Sequence, residues 1–141
     1  MKSFAGGCLC GEIRYQIEAD AGPSRVCWCR DCQRIASNGT VNVIFPSEAI
    51  KISGTPSRHD KAADSGNTVT RRFCSKCGSQ LFSDSSGRPG LTVVRVGTLD
   101  EPSSIKPTTN IWVASAPSWA CVDQSLDQFE GPPASASPAK A

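Results

Sequence analysis

Eight cysteines fall into three short clusters and one isolated position, and this spacing limits the chain more than any other feature. The clusters are Cys8-Leu9-Cys10, Cys27-Trp28-Cys29-Arg30-Asp31-Cys32 and Cys74-Ser75-Lys76-Cys77, with Cys121 apart. Side chains two positions apart on an extended strand point the same way. A pair such as Cys8 and Cys10 therefore suits two ligands on one ion better than two separate disulfides. The N-terminus, Met1-Lys2-Ser3-Phe4-Ala5-Gly6-Gly7-Cys8, carries no apolar segment of the kind a secretory leader needs. A reducing, cytoplasmic setting is the expectation. There, clustered cysteines point to metal rather than to disulfides.

Thiolates are soft ligands, and four of them close a tetrahedral zinc site. Cys74 and Cys77, followed by Gly78, read as a zinc knuckle whose glycine permits the tight turn. Cys8 and Cys10, followed by Gly11, supply two further thiolates. Pairing the two clusters gives a four-cysteine site, and a metal that closes so long a loop stabilises a small core. Cys27, Cys29 and Cys32 then remain, and three protein ligands with an open position are the pattern of a catalytic zinc. Other pairings stay open on spacing alone. Cys121 can complete the second cluster, or the second cluster can complete the third and leave Cys8 and Cys10 free. Iron also suits four thiolates, although zinc is the commoner occupant.

The rest of the chain fits a small β protein. Its 141 residues suit one domain, and aromatic residues make up only 6% beside 12 glycines and 10 prolines. Many turns and a modest core follow, so crosslinks help. The net charge of +2 is too weak to argue for nucleic acid or an anionic membrane. No apolar run approaches a membrane span. Residues 11–19 alternate Ile13, Tyr15 and Ile17 against Glu12, Arg14 and Gln16, the pattern of a half-buried strand. Strands are also expected over 40–45, 50–53, 68–73, 91–96 and 111–113. A helical turn is expected near 31–36 and another near the C-terminus. Residues 55–67, with the single His59, read as an exposed loop, and 83–90 as a hairpin connection. The fold class is mainly β, an antiparallel sheet fold in one domain. From Gly131 the chain is rich in Pro, Ala and Ser, so residues 131–141 are expected to be a disordered tail.

Three stretches taken in order carry a resemblance: Gly6-Gly7-Cys8-Leu9-Cys10-Gly11-Glu12-Ile13-Arg14-Tyr15, Cys27-Trp28-Cys29-Arg30-Asp31-Cys32-Gln33-Arg34, and Phe73-Cys74-Ser75-Lys76-Cys77-Gly78-Ser79. With Asn110 to Trp119 and Asp127 to Gly131, they make the chain similar to the GFA family, that of glutathione-dependent formaldehyde-activating enzymes and centromere protein V. The resemblance covers Phe4 to Gly131 and implies an Mss4-like (β-tent) fold stapled by zinc, with the GFA-like zinc-binding domain over residues 1–130. It implies a structural zinc on Cys8, Cys10, Cys74 and Cys77. It also implies a second, more labile zinc on Cys27, Cys29 and Cys32, two Zn2+ per chain in all. The implied activity is that of a carbon–sulfur lyase, joining a thiol such as glutathione to an aldehyde or cleaving the adduct. Two departures stand out: Trp28 and Asn110 occupy positions where the family often has histidine.

Cys27, Cys29 and Cys32 are accordingly the candidate catalytic residues. Arg30, Arg34, Arg71, Arg72 and Lys76 are candidates to hold a thiol substrate's carboxylates, although for most of them solvated strand-edge charge is the preferred reading. Trp28 reads as packing beside the metal, Trp112 and Trp119 as core or pocket wall, and Cys121 as a spare thiol. The alternative to an enzyme is a non-catalytic zinc-stabilised module that binds a small thiol or a protein partner. A nucleic-acid partner is disfavoured by the charge.

Overall fold

The computed structural model describes residues 1–133 and consists mainly of β-strands with one short helix. In chain order the elements are β1 (Ser3–Gly7), β2 (Arg14–Glu18), β3 (Ser24–Cys27), α1 (Arg30–Ala36), β4 (Thr40–Pro46), β5 (Ile50–Ser53), β6 (Ser57–Ala62), β7 (Thr68–Phe73), β8 (Gln80–Ser85), β9 (Leu91–Arg95), β10 (Thr109–Ile111) and β11 (Asp127–Gln128). They form a three-stranded sheet, β1-β2-β5, and an eight-stranded sheet, β11-β10-β3-β4-β9-β8-β7-β6. Among the described residues, no helix is long and apolar enough to cross a membrane.

The alternation read in 11–19 has a direct consequence. Ile13, Tyr15 and Ile17 are all buried, and they share one core with Val43 and Phe45 of β4, Phe82 of β8 and Val94 of β9. The two sheets thus meet face to face. The Tyr15 ring meets Phe82 edge-on at 5.1 Å, and Phe4 of β1 meets Phe45 at 5.1 Å. The Tyr15 hydroxyl shares a 2.7 Å hydrogen bond with Thr98. Gly6 is required where β1 crosses this tyrosine, because a Cβ there would collide with the Tyr15 ring and the Thr98 carbonyl.

The opposite face of the large sheet carries a different set. Period-2 alternation puts Arg25 with Cys27, Asn42 with Ile44, Val69 with Arg71, and Val93 with Arg95 on one side. Register aligns them into rows, with Asn42 opposite both Arg25 and Arg95, and Ser83 opposite both Arg71 and Val93. The core lies on one face of the sheet and a polar, cationic floor on the other.

Several expected elements stand where predicted: β5 and β7 have the expected bounds, and β4 and β9 differ by a residue at one end. Others differ for physical reasons. Residues 57–62 form an exposed edge strand, not a loop, because hydrogen bonding to β7 holds a segment whose side chains alone give no signal. His59 sits in it and is exposed. The connection expected over 83–90 shrinks, because β8 runs to Ser85. The strand expected at 111–113 ends at Ile111, where Trp112 takes φ 58° and leaves the extended region. The sheets are antiparallel except at β3, β10 and β11, whose mutual pairings are parallel. Long connections from β9 to β10 and from β10 to β11 bring those strands back in the same direction. The expected C-terminal helical turn is a short 3-10 turn over Val113–Ser115. Of the tail expected over 131–141, Gly131 accepts a hydrogen bond from the Trp112 N–H; residues 134–141 lie outside the described residues.

Because Phe82 is fully buried between Tyr15 and the Arg72 guanidinium, 4.8 Å from its centroid, Phe82→Ala should cost about 3–5 kcal/mol. A fall in the urea midpoint, read by far-ultraviolet circular dichroism, checks this.

Candidate metal centre

Two knuckles of the same design meet at the edge where the sheets approach. In the first, the Gly11 N–H donates to the Cys8 carbonyl and the Cys8 N–H to the Ile13 carbonyl; in the second, the Gly78 N–H donates to the Cys74 carbonyl and the Cys74 N–H to the Ser79 carbonyl. Gly11 and Gly78 have φ of 83° and 81°, a region open to glycine at little cost. The knuckles are tied together by the Leu9 N–H, which donates to the Ser79 hydroxyl at 3.0 Å.

The sulfurs of Cys8, Cys10, Cys74 and Cys77 all lie within 4.8 Å of one another. Those of Cys8 and Cys10 are 3.7 Å apart, and those of Cys10 and Cys74 are 3.8 Å apart. A tetrahedron with metal–sulfur bonds of about 2.3 Å has edges of about 3.8 Å, so the donor set fits zinc. The Ile13 N–H points at the Cys8 sulfur at 3.2 Å. The Ser79 hydroxyl and backbone N–H hold the Cys77 thiol down at about 5. Both contacts favour thiolates, the ligand form. The site offers four sulfurs and is closed by count.

Cys27, Cys29 and Cys32 form a second group, also within 4.8 Å of one another, and no further His, Cys, Asp or Glu joins them among the described residues. Cys27 ends β3, Cys29 caps α1, and Cys32 sits in the first turn, so a strand end and a helix start converge on one point. The Cys29 sulfur accepts from the Cys32 N–H at 3.3 Å. Cys27 and Cys32 are buried. Donation to Cys29 and Cys32, together with burial, pushes the Cys27 thiol far up. Hydrogen bonds from Cys27 and Cys29 pull the Cys32 thiol far down, with Thr40 and the Arg95 cation adding to the effect. Three sulfurs that stabilise an anion among themselves are a donor set suited to a soft divalent cation.

All three cysteines line a cavity of about 240 Å3 on the cationic face of the large sheet. Arg25, Arg71, Arg88 and Arg95 line it too, with Trp112. Of the five basic residues singled out from sequence, only Arg71 is there. Arg30 is exposed and donates to Gln33; Arg34 is exposed; Arg72 pairs with Asp84 at 3.0 Å; Lys76 lies 3.9 Å from Glu12 at the surface. Sequence neighbourhood to the cysteines was a poor guide, because alternation sends adjacent residues to opposite faces. The signal that finds Arg25 is its place two residues before Cys27; Arg88 and Arg95 come from segments brought close only in the tertiary fold.

Trp28 is buried away from this cavity, its ring against Gly39, where a Cβ would come within 2.9 Å. Asn110 is fully buried and donates to the Asp123 carbonyl at 2.8 Å, anchoring a loop. Neither lines the cavity. Trp112 is pocket wall as expected, but Trp119 is 66% exposed, neither core nor wall. Cys121 is exposed and belongs to neither cluster.

Comparison with known proteins adds two findings. The profile of the family described as "Glutathione-dependent formaldehyde-activating enzyme" (GFA) matches residues 3–115. A crystal structure of a Rhodobacter sphaeroides protein superposes with a TM-score of 0.59 at 16% identity, covering 89% of this chain and 98% of that one; the likeness shows the fold. No curated protein matches the chain.

With one closed and one open sulfur set, elemental analysis of protein purified anaerobically should find about two zinc ions per chain. Cys10→Ser should lower the melting temperature steeply, as loss of a folding-coupled ion does. Cys29→Ser should lower zinc to about one per chain with a much smaller thermal shift.

Proposed function

The chain belongs to the family of glutathione-dependent formaldehyde-activating enzymes, and on that premise we propose that it is a zinc-dependent carbon–sulfur lyase. Its domain, over residues 1–130, would join a small thiol of the glutathione type to an aldehyde, or cleave the adduct. The observation that carries this reading is the group Cys27, Cys29 and Cys32: three convergent sulfurs, no fourth ligand among the described residues, and a cavity in front of them.

Zinc held by Cys27, Cys29 and Cys32 would supply Lewis acidity, which would lower the pKa of a thiol in the cavity. The chain's own residues do the rest. The strand end at Cys27 and the capped turn from Cys29 to Cys32 fix the three sulfurs on rigid elements. Gln33 donates to the carbonyls of Trp28 and Ser115 at 2.7 and 2.9 Å, so the segment leading from Trp112 is strapped across the helix start. The cavity confines both partners, which reduces the entropic barrier to their meeting. In the addition direction, the thiol releases its proton to solvent and the resulting sulfur lone pair forms the carbon–sulfur bond. The carbonyl π pair moves to oxygen, which takes a proton from solvent. Cleavage runs the same steps backwards.

A second reading, a module that holds a small thiol without chemistry, is favoured by one observation. Among the described residues the cavity lining has no His, Asp or Glu to move a proton. Turnover separates the two. With zinc-loaded protein, adduct formation followed by NMR should exceed the uncatalysed rate, and Cys29→Ser should remove at least about 99% of the excess, the scale expected when an assembled site is lost. Thiol binding with no excess rate would establish the module instead.

A further inference from the structure

The four arginines of the cavity are not explained by the fold. Arg95 is 8% exposed, and its guanidinium donates to the Asn42 amide oxygen, yet its Nε is buried with no hydrogen-bond partner. Arg71 is 13% exposed, and its Nε likewise has no partner. Buried donors left unpaired are costly, and both of these belong to residues lining the cavity, where a bound acceptor would satisfy them. Arg25 and Arg88 are half-buried and make no ion pair among the described residues.

Asp31 lies 3.7 Å from Arg71 and is already bound to Lys61 at 2.6 Å. No acidic side chain lines the cavity. Three thiolates around a divalent ion would carry one net negative charge. Four guanidiniums set against that charge leave at least two positive charges uncompensated, because Asp31 is shared with Lys61.

Geometry divides those charges. Arg25 lies on β3, Arg95 on β9 and Arg71 on β7, with one strand between each successive pair. Strands are spaced about 4.8 Å apart, so the guanidiniums come from a floor roughly 19 Å wide. Their side chains converge from separate strands on one cavity, where they can fork two planar carboxylates side by side. The volume, about 240 Å3, falls just below the usual range of about 300–1,000 Å3 for ligand pockets, so the ligand is compact.

We propose that this cavity takes a compact thiol carrying two carboxylates and no ammonium group, held by Arg25, Arg71, Arg88 and Arg95 with its sulfur toward Cys27, Cys29 and Cys32. This rests on the thiol reading above and narrows it. Glutathione carries an α-ammonium that offsets one of its carboxylates, and that ammonium meets no acidic residue in the lining.

Isothermal titration calorimetry of zinc-loaded full chain, at constant ionic strength, tests it with five probes: 2-mercaptosuccinate, glutathione, 2-mercaptoethanol, succinate and inorganic phosphate. Mercaptosuccinate should bind at least about tenfold tighter than glutathione, and succinate should compete with it. Arg88→Met, on the turn between β8 and β9 where folding is least at risk, should weaken mercaptosuccinate about tenfold and leave mercaptoethanol unchanged, the loss of one charged hydrogen bond. Arg25→Met is the second variant, with the same expectation. Glutathione binding as tightly as mercaptosuccinate, or indifference of mercaptosuccinate to both variants, overturns the proposal. Inorganic phosphate binding tighter than succinate overturns the two-carboxylate assignment. Tight mercaptosuccinate binding without adduct turnover would defeat the lyase reading and leave this one standing.

Discussion

The structure depends on one long-range junction, the meeting of the Cys8–Cys10 knuckle with the Cys74–Cys77 knuckle. The first follows β1 and precedes β2 of the small sheet; the second connects β7 to β8 of the large one. A metal on these four sulfurs, which lie within 4.8 Å of one another, would hold the two sheets in a single relative position. The aromatic contacts between Tyr15 and Phe82 and between Phe4 and Phe45 presuppose that position. A chain with so few aromatic residues has a limited core, and closing a loop this long removes entropy from the unfolded state that the core alone would have to offset.

That junction also frees the other face of the large sheet. Because the small sheet covers the side lined by Val43, Phe45, Phe82 and Val94, the alternate residues of the same strands are left to build something else. They build a floor of arginines, and the strand end at Cys27 with the helix start at Cys29 and Cys32 builds its wall. Binding chemistry and core packing are thus two sides of one set of strands. Each adjacent pair, Val94 with Arg95 or Val43 with Asn42, puts one residue on each side.

The two cysteine groups differ in count and setting. The first has four sulfurs and a backbone N–H turned toward Cys8, with Cys10 at the surface. The second has three, two of them buried, and opens on a cavity. Ligand count alone separates a closed tetrahedral set from an open one. Trp28 and Asn110 are both turned away from the cavity into packing and loop anchoring. The character of this pocket therefore comes from its arginines.

Much of this was legible in the order of residues. The cysteine spacings, the glycines after them and the β-branched runs bounded by turns are local signals, so they predicted the mainly β class, the knuckles and strands such as β5 and β7. The edge strand at 57–62 was not legible, because its polar side chains face solvent and only the ladder to β7 defines it. Nor was the parallel course of β3, β10 and β11. The arginine floor was hidden for the same reason: Arg25, Arg71, Arg88 and Arg95 are far apart in sequence and meet only through strand pairing. The sequence by itself determined which residues can bind metal and which strands can form, since spacing and alternation are short-range. The tertiary structure alone decided which face each strand turns inward and which charges converge, since register and sheet order are set by contacts between distant segments.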